Sequence, residues 1–256
     1  MTTIAVIQAR SGSTRLPGKI FADIEGMPML ERVVHRARLA STLHAVAVAT
    51  TILPEDDRVA RLCRDMDVAC TRGSVNDVLS RYAEAAQQLG ADVIVRITSD
   101  CPLIDPSVID RVVRAFRARA LDYASNTLVP TYPDGLDTEV FSVGALNLAC
   151  REAALGSERE HVTPFIKTRP NRFRLVNVTN DEDMSALRWT VDEPADLDFA
   201  TRAYRLMGTS DFGYRELVDA LATQPDITAL NAHYERNAGY TRSLENDAHA
   251  RMIERS

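Results

Sequence analysis

The stretch Ile4-Ala5-Val6-Ile7-Gln8-Ala9-Arg10-Ser11-Gly12-Ser13-Thr14-Arg15-Leu16-Pro17-Gly18-Lys19 decides how the chain is read. Its first four residues are a continuous apolar run, the mark of a buried strand, and small and polar residues end it at once. Glycines, hydroxyl side chains and the cations Arg10, Arg15 and Lys19 then crowd together. Glycine lets the backbone turn tightly and lets a charged ligand approach the amides. Successive N–H groups in such a loop form an anion-binding hollow. Arginine adds a planar fork that grips two phosphate oxygens at once. The loop therefore reads as a polyphosphate cradle at the carboxyl end of the first strand, where open α/β sheets bind ligands. The plain alternative is a basic surface loop with no ligand. The common phosphate loop is excluded, because it needs Ser or Thr after Gly-Lys and Ile20 stands there.

Outward from the loop, residues 29–40 carry Leu30, Val33, Val34 and Ala37 at helical spacing. Residues 45–50 read as a small-apolar strand. Pro54-Glu55-Asp56-Asp57 places proline and acids at a helix start, where they suit the free amides and the dipole. A third strand is expected over 68–70, a helix over 75–89 and a fourth strand over 93–97. Asp105-Pro106 reads as the cap and first position of the next helix. Strands alternating with helices give βαβ units and a mostly parallel α/β sheet flanked by helices.

After Leu121 the pattern changes. Short strands over 123–126 and 138–141 bracket a turn containing Pro and Gly, and predict a small β-containing subdomain at 123–141. Helices are expected over 144–154, 158–168, 194–207 and 214–222, and strands over 173–178 and 187–191. This gives one domain over 1–236. The polar tail, 237–256, is expected to fray or to pack on a neighbour.

The chain has 256 residues, 45% of them hydrophobic, which permits a sizeable core. Its formal charge is -6 and its pI about 5.4, which argues against a nucleic-acid partner. An anionic ligand would have to be held by local charge. Cys63, Cys70, Cys101 and Cys150 show no zinc spacing and read as free thiols in a reducing compartment. With no leader pattern after Met1 and no span long enough for a bilayer, a cytoplasmic protein without a membrane partner is expected.

Asp100 lies just past the fourth strand, and Asp192 follows a run ending at Val191. Carboxylates at two strand ends can converge on one magnesium ion, which takes one or two carboxylates and leaves its other positions to phosphate and water. Each alone also reads as a helix cap, because Pro102 and Pro194 follow closely. Arg72, Gly73, Ser74 and Asp77 follow the third strand, where a turn and helix cap would account for Ser74. Arg81, one turn on, reads equally as a solvated helical residue. Tyr132-Pro133-Asp134-Gly135-Leu136-Asp137 contains a turn signal, which leaves Asp137 and Glu139 unexplained beside an apolar strand. A capping box from Ser157 to Glu160 leaves Arg159 and His161 free to face a ligand. Trp189 reads as core.

The run Gln-Ala-Arg-x-Gly-Ser-Thr-Arg-Leu-Pro-Gly-Lys, complete here from Gln8 to Lys19, resembles the nucleotide-binding segment of the cytidylyltransferases that activate acidic sugars, the CMP-Kdo and CMP-sialic acid synthetases. It is closer still to their relatives, the SpsF proteins of spore coat polysaccharide biosynthesis. The resemblance continues through Asp100-Cys101-Pro102-Leu103-Ile104-Asp105, Ser125-Asn126-Thr127, the Tyr132–Asp137 run, Glu158-Arg159-Glu160-His161-Val162-Thr163-Pro164 and Leu187-Arg188-Trp189-Thr190-Val191-Asp192-Glu193-Pro194, as far as about Met207.

The resemblance implies a Rossmann-like, GT-A-like nucleotidyltransferase that uses CTP and a small acidic acceptor in surface polysaccharide synthesis. It implies Mg2+, or Mn2+, on Asp100 and Asp192. It places the nucleotide on Gln8, Ala9, Arg10, Ser11, Gly12, Ser13, Arg15, Lys19, Arg72, Ser74 and Asp77, with Arg10, Lys19, Asp100 and Asp192 serving catalysis. Asp134, Asp137, Glu139, Arg159 and His161 remain as acceptor-binding residues. With the amphipathic stretch 138–154, it also implies a homodimer. The rival readings are a glycosyltransferase, which would usually show Asp-x-Asp where Ser99-Asp100-Cys101 stands, and a non-catalytic nucleotide-binding module.

Overall fold

The opening apolar run forms β1 (Thr3–Gln8), hydrogen-bonded on both sides by parallel strands. The computed structural model describes residues 1–13, 15–236 and 238–253. On one side of β1 come β4 (Ala45–Thr51) and then β5 (Ala69–Gly73); on the other comes β6 (Val93–Thr98). The sheet continues through β8 (Glu139–Ser142), β7 (Tyr123–Ser125) and β9 (Leu175–Asn177) to seven strands in the order β5-β4-β1-β6-β8-β7-β9. A separate hairpin, β2 (Asp23–Ile24) with β3 (Met27–Pro28), follows the first loop.

The direction of β8 organises the site. Its neighbours β6 and β7 both run antiparallel to it. Its amino end therefore reaches the edge where β1 and β6 end, and Glu139 pairs in register with Arg96. The two strands expected around 123–141 are thus part of the main sheet.

Helices cover both faces because the strands are apolar on both sides, as parallel strands in α/β sheets are. On one face lie α1 (Met29–Arg38), α2 (Asp57–Asp65), α4 (Pro106–Ala118), α8 (Pro194–Met207) and α9 (Tyr214–Leu221). The other face carries α3 (Val78–Gln88), α5 (Val143–Glu152), α6 (Gly156–His161) and α7 (Pro164–Lys167). A short α10 (Pro225–Thr228) and a long α11 (Ala238–Ile253) close the chain. Asp105 caps α4 as expected, accepting from the N–H groups of Ser107 (2.8 Å) and Val108 (3.2 Å). Trp189 is buried core.

Four local expectations change. Strand β5 runs on to Gly73, so Arg72 lies within a strand and not in a turn. The helix expected over 158–168 breaks at Val162, whose φ is +71°. Residues 187–191 make only an isolated bridge, Asp134 to Arg188. Residues 238–253 of the polar tail form α11 and pack on α6 of their own chain.

Candidate active site

At the shared edge of β1, β5 and β6 lies a cleft of about 600 Å3. Gln8, Ala9, Arg10, Gly12, Ser13, Arg15 and Lys19 line one wall, and Asn76, Val78 and Arg81 the other. The loop is set by its own hydrogen bonds, with the Ser13 and Gly18 N–H groups both donating to Ser11 O at 3.1 and 3.2 Å. Gly18, at φ +68°, makes the turn that leads into Lys19. Arg81 is buried; its Nη1 donates to Ser74 O (2.8 Å), while its Nε has no partner. Burial pulls its guanidinium below the usual range, and Arg10 adds to that.

Asp100 and Asp192 converge on Lys19. Its Nζ lies 2.8 Å from Asp192 Oδ1, 3.4 Å from Asp100 Oδ2 and 2.7 Å from Val191 O. Neither aspartate caps a helix: Asp105 caps α4, and the start of α8 is held by Asp196, which accepts from the N–H groups of Asp192 and Glu193, both at 2.9 Å. Burial pulls the Lys19 ammonium down, but the two carboxylates outweigh it and leave its pKa above the usual value. Burial likewise pushes Asp100 up, and Lys19 with the Thr98 hydroxyl bring it below the usual carboxylate range. Arg15 adds an ion pair to Asp192 at 2.9 Å.

A second cavity, of about 670 Å3, opens beside the first and shares Gln8, Arg10, Arg15, Thr98, Asp100, His161 and Asp192 with it. Asp134, Asp137 and Glu139 line it, as do Arg96, Lys167 and Arg188. Glu139 is fully engaged by Arg96, by the Tyr123 hydroxyl (2.6 Å) and by the Thr163 hydroxyl (2.6 Å). Burial disfavours its charge, but Arg96 and Lys167 outweigh that and hold its pKa at about 2. Asp134 goes the other way. Burial and Asp137 raise it to about 7, against the pull of Arg236 and Arg188. Burial also raises Asp137, although Arg236 pairs with it.

Five residues expected at the site are engaged by partners within the protein. The Ser11 N–H and hydroxyl both donate to Asp56 Oδ1, at 2.7 and 2.6 Å. Arg72 pairs with Asp57 (2.6 Å) and donates to Thr51 O and Leu53 O. Ser74 accepts from the Asp77 N–H (3.1 Å), and Asp77 caps α3 by accepting from Ser80. Arg159 is drawn to Asp77, with its Nε at 3.0 Å, and to Cys150 O at 2.7 Å. None of the five lines either cavity. Ser11, Arg72 and Arg159 each donate to a carboxylate, while Ser74 and Asp77 accept from backbone N–H groups. Lys167, Arg96 and Arg188 line the second cavity and were not singled out from the sequence, although Arg188 stands inside the Leu187–Pro194 run. Arg81 had been left open.

The cytidylyltransferase family profile matches residues 4–215. The chain belongs to the cytidylyltransferase family. Among relatives of this cytidylyltransferase, an uncharacterised protein of Methanocaldococcus jannaschii is 33% identical over 240 residues, 93% of this chain and 98% of that one. The spore coat polysaccharide biosynthesis protein SpsF of Bacillus subtilis is 31% identical over 86% of this chain and 94% of its own. A cytidylyltransferase structure from Leptospira borgpetersenii superposes with TM-score 0.87 at 31% identity, covering 92% of this chain and all of that one. The family makes the protein a nucleotidyltransferase and removes the glycosyltransferase and non-catalytic readings. Among the described residues, no helix is long and apolar enough to cross a membrane.

Proposed function

We propose that this cytidylyltransferase moves CMP from CTP to a small acidic sugar, with release of pyrophosphate, as a step in surface polysaccharide synthesis. One observation carries the reading: two cavities meet at Arg10, Arg15, Asp100 and Asp192, where a nucleotide in one would face an acceptor in the other. SpsF of B. subtilis supplies the analogy for the pathway class.

Transfer of a phosphoryl group depends mainly on positioning and on neutralising charge. Arg10, Arg15 and Lys19 stand where a triphosphate would lie against the first loop, and they offset the charge of the departing pyrophosphate. Arg81 and Asn76 face the nucleoside side. Asp134 and Asp137 accept hydrogen bonds from acceptor hydroxyl or amino groups. Lys167 takes the role first given to Arg159, holding the acceptor's anionic group.

Magnesium, or manganese, belongs to the same proposal. Asp100 and Asp192 suit it, because the two carboxylates converge on one point, taken here by the Lys19 ammonium, and magnesium asks for only one or two. When bound, such an ion supplies neutralisation of the phosphate charge. The homodimer rests on the resemblance alone, since the apolar side of 138–154 packs into its own core through Ala145, Leu146 and Ala149; light scattering checks it.

The test is pyrophosphate release with each of the four nucleoside triphosphates against a panel of acidic, neutral and phosphorylated sugars. Release only with CTP and an acidic sugar is expected. Release with neutral sugars alone, or without any acceptor, would reject the proposed acceptor class.

A further inference from the structure

Helix α11 places no described residue in either hydrophobic core, and its Leu244 is 44% exposed. Hydrophobic burial therefore does not explain how residues 239–249 pack back on the body. The helix also lies beyond residue 215, the last one matched by the family profile. Yet it lines both cavities, with Ser243, Asn246 and Asp247 on the nucleotide side and Gly239 and Tyr240 on the acceptor side.

Its attachments are polar and converge on α6. The Ser243 hydroxyl donates to Glu160 Oε2 (2.9 Å) and lies 2.9 Å from His161 Nε2. The same hydroxyl lies 3.2 Å from Gly239 O one turn earlier in the helix. Tyr240 meets the same imidazole edge to face, with centroids 5.1 Å apart, and Lys167 Nζ lies 5.3 Å from the Tyr240 centroid. Asp247 accepts from the Ser157 N–H at 3.2 Å. His161 is the focus of these contacts and lines both cavities.

We propose that α11 is a strap across the shared mouth of the two cavities, and that Ser243 and Tyr240 are positioning residues that fix the His161 imidazole as the wall on which the acceptor is seated. The acceptor half rests on the functional reading above; the strap half needs only CTP. A helix held by a few polar links can lift to admit a nucleotide and settle once it is bound.

Hydrogen–deuterium exchange on the full chain tests the strap. Amides in 238–253 should exchange several-fold more slowly with CTP and magnesium than without, whatever the acceptor proves to be. Steady-state kinetics test the positioning role. Ser243→Ala and Tyr240→Ala should each raise the acceptor KM several-fold, and by more than they raise the KM for CTP. Ser243→Thr, which keeps the hydroxyl, should restore it, and Leu244→Ala should change neither. Exchange in 238–253 that ignores CTP overturns the strap. An acceptor KM unmoved in both alanine variants overturns the positioning role.

Discussion

Lys19 gathers three acceptor oxygens at one ammonium, the carboxylates of Asp100 and Asp192 and the carbonyl of Val191. Its removal should leave the fold standing, because it sits on a loop at the sheet edge, and should strike turnover. Taking an oxyanion-hole donor as the analogy, Lys19→Ala should lose about 2.7–4 kcal/mol of transition-state stabilisation; steady-state kinetics with CTP measure this, and a wild-type kcat would refute it. Asp196 acts at one remove. It is fully buried, takes both N–H groups at the start of α8, and is held by Arg188 through two 2.9 Å bonds. Asp196→Ala strips Arg188 of its partner, so a loss of roughly 3–5 kcal/mol in a urea melt is expected. Residues such as Lys19 were legible because a loop motif announced them. Asp196 was not, since an aspartate in the first turn of a helix looks like any other.

The elements were read best where local chemistry decided them. The strand β1, the cap of α4 and the span of α8 follow from an apolar run, an Asp-Pro pair and a proline start, and all three appear as expected. Long-range pairing decided the rest. The direction of β8 is set by its partners β6 and β7, and only that direction carries Glu139 to the site edge. The turn before β8 shows how tightly this is enforced. Gly135 has φ +115°, and a Cβ there would lie 2.6 Å from the Trp189 carbonyl carbon. The neighbouring backbone is pinned as well, with Asp134 N–H donating to Leu187 O at 2.8 Å. Gly135→Ala meets both a disfavoured φ and rigid backbone, so it should cost more than about 1–3 kcal/mol of strain. It should also raise the acceptor KM, because Asp134 and Asp137 flank it. A melting temperature and acceptor KM both equal to wild type would contradict the claim.

Across the whole molecule, a chain of formal charge -6 concentrates cations at one sheet edge and then buries carboxylates among them. That arrangement was invisible in composition, which reports only the sum. It should appear in how stability varies with pH. The Glu139 pKa is held at about 2, below its ordinary 4.5, chiefly by Arg96 acting against burial. A depressed carboxyl stabilises the fold above its unfolded pKa and loses that contribution as pH falls through its folded one. Glu139→Gln should therefore be least stable relative to wild type above about pH 4.5, and the gap should close toward pH 2. Asp134 has the opposite sign. Burial and Asp137 raise it from 3.8 to about 7, so its contribution is complete below 3.8 and fades as pH rises through 7. Asparagine copies the protonated form without the buried charge, so Asp134→Asn should gain on wild type as pH rises from 3.8 to about 7 and level off above that. Melting curves of both variants between about pH 2 and 9 decide the matter. Opposite trends are expected because one carboxylate lies with Arg96 and the other beside Asp137, and parallel trends would show that the two environments do not differ in this way.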